Sequence, residues 1–190
     1  MVLGLRGLQA LPGPALTGSP ADEQDARPGL HERLEPLTWL VGRWEGVGAL
    51  VYPTVEDRNY VQHVEFSHDG RPFLHYSSRS WLLEPDGTRG RPGASEEGWW
   101  RPGAGTHDLE VMIAHHTGVL EMLVGRVAFK KVELSSDAVV RTATAKEVTA
   151  TTRLYGGVEG DLAYVVEMAA VGQRLQPHLS ARLSPVPGTA

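Results

Sequence analysis

The chain has 190 residues, 41% of them hydrophobic and 22% charged, a size and mix suited to one globular domain with some chain to spare. Its 18 basic and 23 acidic side chains leave a net charge of −5, and no run of Lys or Arg offers a stripe for phosphates, so nucleic acid is a poor partner. With no cysteine it can build neither a disulfide framework nor a thiolate metal site, which fits a reducing, cytoplasmic setting.

From Met1 to about Pro28 the sequence is Gly, Pro, Ala and acidic residues without periodicity, and Gly, Arg and Pro interrupt every apolar stretch before the core of a secretory signal forms. We expect residues 1–29 to be a flexible tail and residues 30–187 to be a single domain. No uncharged apolar run reaches the roughly 18 residues that a membrane-spanning helix needs. Leu34, Leu37 and Leu40, three apart, predict a short helical turn interrupted by Pro36, placed to plug or cover one end of the fold.

After Val41 the texture changes to short runs of Val, Thr, Tyr, Trp and Phe cut by Gly, Pro and Asp, the signature of antiparallel strands. The spans fall at about 43–51, 58–67, 72–83, 96–101, 107–115, 118–127, 129–134, 137–142, 147–155, 161–171 and 175–184. His68-Asp69-Gly70, Pro85-Asp86-Gly87, Thr117-Gly118, Ser136-Asp137 and Glu159-Gly160-Asp161 mark turns between them. The links are too short for parallel crossovers, so the fold is an all-β sandwich or barrel. In Asp161–Val171 both alternating faces are largely apolar, Glu167 excepted, and elsewhere the faces mix small, polar and aromatic residues. This favours a ten- to eleven-stranded antiparallel β-barrel around a ligand-lining lumen.

Common catalytic templates, G-x-S-x-G, P-loop, G-x-G-x-x-G and H-E-x-x-H, are absent. Eight histidines remain as metal-ligand candidates. His115 and His116 are adjacent on a strand and point to opposite faces, so they cannot chelate one ion; a strand end meeting a turn explains them. Strict alternation groups His178 with Gln176, Ser180 and Arg182 on a water-facing side, but Pro177 implies an edge, a bulge or a corner that can break this phase. Gly42, Gly46 and Gly48 around Trp44 leave one strand face bare, either for a close backbone or flat ligand or simply for a bent strand with Trp44 as a core plug.

Gly42–Gly48 resembles the G-x-W-x-G-x-G signature of the nitrobindins, a family similar in fold to lipocalins and fatty-acid-binding proteins, with Tyr52-Pro53-Thr54 following at the family's spacing. Phe66-Ser67-His68 with Gly70–Leu74 and Tyr76 resembles F-(S/A)-H-x-G-K-P-F-L-x-Y, Ala145–Ala150 resembles A-K-E-V-T-A, and Met168–Gln176 resembles M-x-A-V-G-Q-x-L-Q. The resemblance implies one haem b per chain, His178 as the proximal iron ligand, and Thr54 and Lys146 lining the haem site. It also implies a dry distal wall of Val, Leu, Met and Trp, NO and peroxynitrite as small-molecule ligands, and isomerisation of peroxynitrite to nitrate. The chain departs from the family at Arg58 (usually aromatic), Gln62 and His63 (usually acidic), Ala94 (usually His) and His116 (usually Pro), which bears on the pocket's lining and mouth more than on the iron ligand. A haem-free barrel carrying a fatty acid is the alternative. Trp99-Trp100 is either a patch that pairs subunits into a homodimer or a buried aromatic strand.

Overall fold

The structure, a computed structural model, describes residues 28–189, so the expected tail lies almost wholly outside the described residues. A 3₁₀ helix, Glu32–Leu40, is followed by ten strands: β1 (Gly42–Tyr52), β2 (Val55–Ser67), β3 (Leu74–Leu83), β4 (Arg89–Pro102), β5 (Asp108–His115), β6 (Val119–Ala128), β7 (Lys131–Arg141), β8 (Val148–Val158), β9 (Asp161–Ala170) and β10 (Gln176–Pro185). Each strand pairs antiparallel with the next, and β10 returns to β1, so the sheet closes on itself and leaves no edge. Among the described residues no helix is long and apolar enough to cross a membrane.

The spacing of three in the helical segment is the period of a 3₁₀ helix, so Leu34, Leu37 and Leu40 share one face, and all three are buried. Pro36 removes only one backbone donor from this segment. The helix is pinned by an Arg33 guanidinium hydrogen bond to the Gly103 carbonyl (2.7 Å) and by the Trp44 indole donating to the Leu40 carbonyl (2.8 Å). It closes the barrel end from which β1 starts. Above it, Phe66, Trp100 and Tyr155 pack edge to face at about 5 Å and fill the lower lumen, within a cluster that includes Leu74, Leu162 and Leu183.

Two strand boundaries differ from the sequence reading. The expected strands at 129–134 and 137–142 are one strand, β7, and Ser136-Asp137 is a bulge rather than a turn: Leu123 opposes Ser136 while Met122 opposes Ala138, leaving Asp137 as the extra residue. A polar pair with Asp carries the composition of either, and only the register separates them. Pairing of β7 with β8 stops at Ser135–Thr152, where the Ser136 hydroxyl takes over by accepting the Thr151 N–H (3.0 Å). β4 is also longer than the expected 96–101, because Arg89–Ser95, although rich in Gly and Pro, pairs with β3 through two register shifts.

The bare glycine face of β1 receives protein. A β-carbon on Gly46 would lie 2.2 Å from the Arg182 carbonyl oxygen, and one on Gly48 would lie 2.3 Å from the Tyr60 ring and 2.5 Å from the Ser180 carbonyl oxygen. The glycines therefore admit β10 and Tyr60, while Trp44 is the buried plug. Trp100 is wholly buried and Trp99 is 44% exposed, so the tandem divides between core and surface.

Candidate functional site

Because neighbouring strands alternate in direction, the ends of β1, β3, β5, β7 and β9 gather with the starts of the intervening even-numbered strands, opposite the helical plug. Thr54 lies in the β1–β2 turn, Lys146 in the β7–β8 loop and His178 near the start of β10, so all three sequence-selected residues belong to this open end. The β7–β8 and β9–β10 loops are joined by a Val171 N–H donating to the Glu147 carbonyl (3.0 Å). Lys146 and Arg174 on these loops are exposed and form no ion pair among the described residues. Thr54 is also exposed.

His178 is where strand phase breaks. Pro177 pairs with Glu167 and Leu179 with Val166, the next residue on β9, so His178 is the extra residue of a bulge. The bulge lets the imidazole meet the ring of buried Tyr52, with centroids 5.2 Å apart at 74°. The Tyr52 hydroxyl accepts the Ala170 N–H (2.9 Å) and shares its own proton between the Met168 and Ala170 carbonyls (3.2 Å each), fixing β1 against β9 beside the histidine. Burial lowers the His178 pKa from its ordinary value against an opposing contact with the Val51 backbone, which favours the neutral ring. Its Nδ1 is buried and lacks a hydrogen bond of full geometry.

The surroundings suit a flat apolar macrocycle with an anionic edge. Leu50, Leu82 and Leu179 are half-buried inside the open end, and Val51, Val55, Val171 and Leu175 stand 37–46% exposed around it. A neutral imidazole can ligate haem iron, and cations at a rim can pair with propionates, so the residues present fit such a group.

Deeper in the lumen lies a buried charge network that the sequence reading missed. Arg153 contacts Glu96 through both terminal nitrogens (3.1 Å each) and Glu121 at 2.9 Å, and all three residues are buried. His115 bridges the two carboxylates, with Nδ1 3.4 Å from Glu96 and Nε2 3.4 Å from Glu121. The Tyr76 hydroxyl donates to Glu96 (2.7 Å). Burial alone would raise the Glu96 carboxyl, but Arg153, His115 and Tyr76 outweigh it and hold the pKa at about 2. The legible signal was phase: Glu96 alternates with Gly98 and Trp100, Glu121 with Val119 and Leu123, and Arg153 with Thr151 and Tyr155, which places charges on inward faces. His115 and His116 do diverge, the latter accepting the Ser95 N–H at 3.1 Å. An enclosed cavity of about 60 Å³ above the network is lined by Tyr60, Gln62, Ser78, Glu96 and Tyr155 as well as Leu50, Val166 and Leu179, so the lumen is not uniformly apolar.

The ten-stranded barrel, plugged at one end and with His178 at the other, has the architecture of a ligand-binding β-barrel. The sequence profile described as "THAP4-like, heme-binding beta-barrel domain" matches residues 33–184, and the chain belongs to this family. A protein of Salinispora tropica named peroxynitrite isomerase is 48% identical over 185 residues, covering 94% of each chain. A peroxynitrite isomerase of Nocardioides sp. is 49% identical over 154 residues, covering 81% of this chain and 93% of its own. A ferric nitrobindin-like protein of Kineococcus radiotolerans is 47% identical, covering 80% of this chain and 93% of its own. The crystal structure of Rv2717c from M. tuberculosis matches with a TM-score of 0.76 at 36% identity, covering 83% of this chain and 99% of that one.

Proposed function

We propose that residues 30–187 bind one haem b through His178 and isomerise peroxynitrite to nitrate, with NO as a second small ligand, in the cytoplasm that a cysteine-free chain suits. The observation that carries the reading is the bulge at His178, which brings a neutral imidazole into contact with Tyr52 at the open end. The chemistry supplied by the bound group is that of a ferric iron acting as Lewis acid toward a peroxynitrite oxygen. Tyr52 holds His178 in place, the Leu50, Leu82 and Leu179 side chains exclude bulk water, and Lys146 with Thr54 meets the polar edge.

The fatty-acid alternative is disfavoured by volume. Carriers of drug-sized ligands enclose roughly 300 Å³ or more, whereas the cavity above the charge network is about 60 Å³ and the barrel floor is filled by Phe66, Trp100 and Tyr155. Adding hemin to the purified chain will produce a stoichiometric ferric Soret band that His178→Ala removes. Identical spectra for the two proteins would overturn the ligand assignment.

A further inference from the structure

Ala128 pairs with Lys131, so Phe129 and Lys130 are the whole of the β6–β7 hairpin turn. Two-residue turns of this kind favour Gly, Asn or Asp, which tolerate a positive φ, yet Phe129 sits there at φ 53°. Its ring gains nothing in return from its own chain: it is 93% exposed, more than any other large apolar side chain among the described residues. The Gly157 N–H donates to the Lys130 carbonyl (2.9 Å), which holds the tip against β8. A strained turn that presents an aromatic ring to water points to a contact outside the chain.

Beside this knob lies a dent. The outer wall of β8, β9, β10 and β1 carries an open groove of about 870 Å³, bordered by Lys131 where the hairpin tip ends. In its middle Gly156 stands opposite Ala163, with the pair Leu154 and Val165 on one side and Val158 on the other. These three and Val47 on β1 form apolar walls that are 40–58% exposed. Gly46 and Gly48 are bare because β10 and Tyr60 need the space, whereas a β-carbon on Gly156 would meet only the Lys130 carbonyl oxygen, at 4.0 Å. Nothing in the chain itself uses the room that Gly156 leaves. Charge is laid out to match. Glu159 and Asp161 beside the groove share one cation, Arg182, while Lys130 on the tip forms no ion pair among the described residues.

We propose that this wall is a two-fold interface between two copies of the chain, each seating its Phe129 in the groove of the other. A two-fold contact requires one patch that complements itself, and a knob carried rigidly next to a dent is such a patch. Lys130 then arrives with Phe129 at the acidic rim of the partner copy's groove. Phe129 offers roughly 200 Å², and the four walls together offer somewhat more. Over both copies the apolar area comes to on the order of 1,000 Å², the lower bound for a specific interface. Phe129 lies at the plug end, so the pairing leaves the end that carries His178 open and does not depend on the haem reading.

Sedimentation equilibrium of the full chain at micromolar concentration should show monomers exchanging with dimers. Phe129→Gly removes the knob and suits the turn, and Gly156→Leu fills the dent from outside. Each should raise the dimer dissociation constant at least tenfold in a chain whose far-UV spectrum stays that of the wild type. An equal mixture of the two variants regains one of the two seats, the intact Phe129 of one chain in the intact groove of the other. The mixture should therefore associate more tightly than either variant alone. A monomeric wild type, a dimer whose affinity survives Phe129→Gly, or a mixture no tighter than its components overturns the interface. So does a monomer that Phe129 carries onto phosphatidylglycerol vesicles, the other use of an exposed ring beside a lysine.

Discussion

The imidazole of His178 meets the phenol ring of Tyr52 edge-on, and the hydroxyl of that phenol is tied to the backbone of Met168 and Ala170. One side chain thus sets both the orientation of the candidate ligand and the seam between β1 and β9. Tyr52→Phe keeps the ring and loses the tie. We expect a stability loss of about 1–2 kcal/mol in denaturant unfolding, with hemin still bound at one per chain. Tyr52→Ala should weaken hemin binding as well, read as a faster transfer of hemin to an apomyoglobin scavenger.

Acid should act through His178 with a definite sign. Its folded pKa lies below the ordinary 6.5, so above that value both folded and unfolded chains carry a neutral ring and the residue contributes nothing to pH dependence. As pH falls through 6.5 the unfolded chain takes up the proton first, and stability drops toward the lower folded pKa. In the haem-free chain, unfolding free energy from about pH 7 to about pH 5 should fall more steeply for wild type than for His178→Asn. Parallel slopes would show that the ring is not buried as described.

Arg153 is the cation paired with two buried carboxylates, Glu96 and Glu121. Arg153→Met leaves both uncompensated and should cost about 3–5 kcal/mol or prevent folding. The triple variant Glu96→Gln, Glu121→Gln, Arg153→Met removes all the charge together and should recover much of that loss in the same unfolding measurement.

Gly46 has no room for a methyl group, because the obstruction is the β10 backbone at Arg182 rather than a movable side chain. Gly46→Ala should part β1 from β10 locally and cost about 1–3 kcal/mol. Since β10 carries His178, hemin affinity should fall in parallel; full affinity in a destabilised Gly46→Ala would separate the barrel closure from the site.

Lys146 and Arg174 lie on adjoining loops at the open end without ion-pair partners among the described residues. Replacing both with Glu should slow hemin association and reverse the sign of its salt dependence, since the propionates are anionic. Stopped-flow association at two ionic strengths measures this.

The alternation of apolar residues and the turn dipeptides made the strands and their antiparallel order legible, because each depends on local chemistry. Asp137 and Pro92 were harder, since a bulge borrows the composition of a turn and shows itself only across the ladder. For His178 the alternation pointed to water, and the proline before it was the one local sign that the phase would break. Glu96, Glu121 and Arg153 were overlooked although their phase placed them inward, because a charge in a strand usually marks the solvent face and only four strands brought together cancel it.

The 3₁₀ segment held by Arg33 and Trp44 makes the barrel a blind-ended vessel. Whatever enters must leave by the door it used, so arrival of a reactant and departure of a product compete for one passage. Bulk added at the plug end should leave turnover untouched, while a bulky group at the rim should retard entry and exit together, leaving the equilibrium affinity nearly constant as both rates fall.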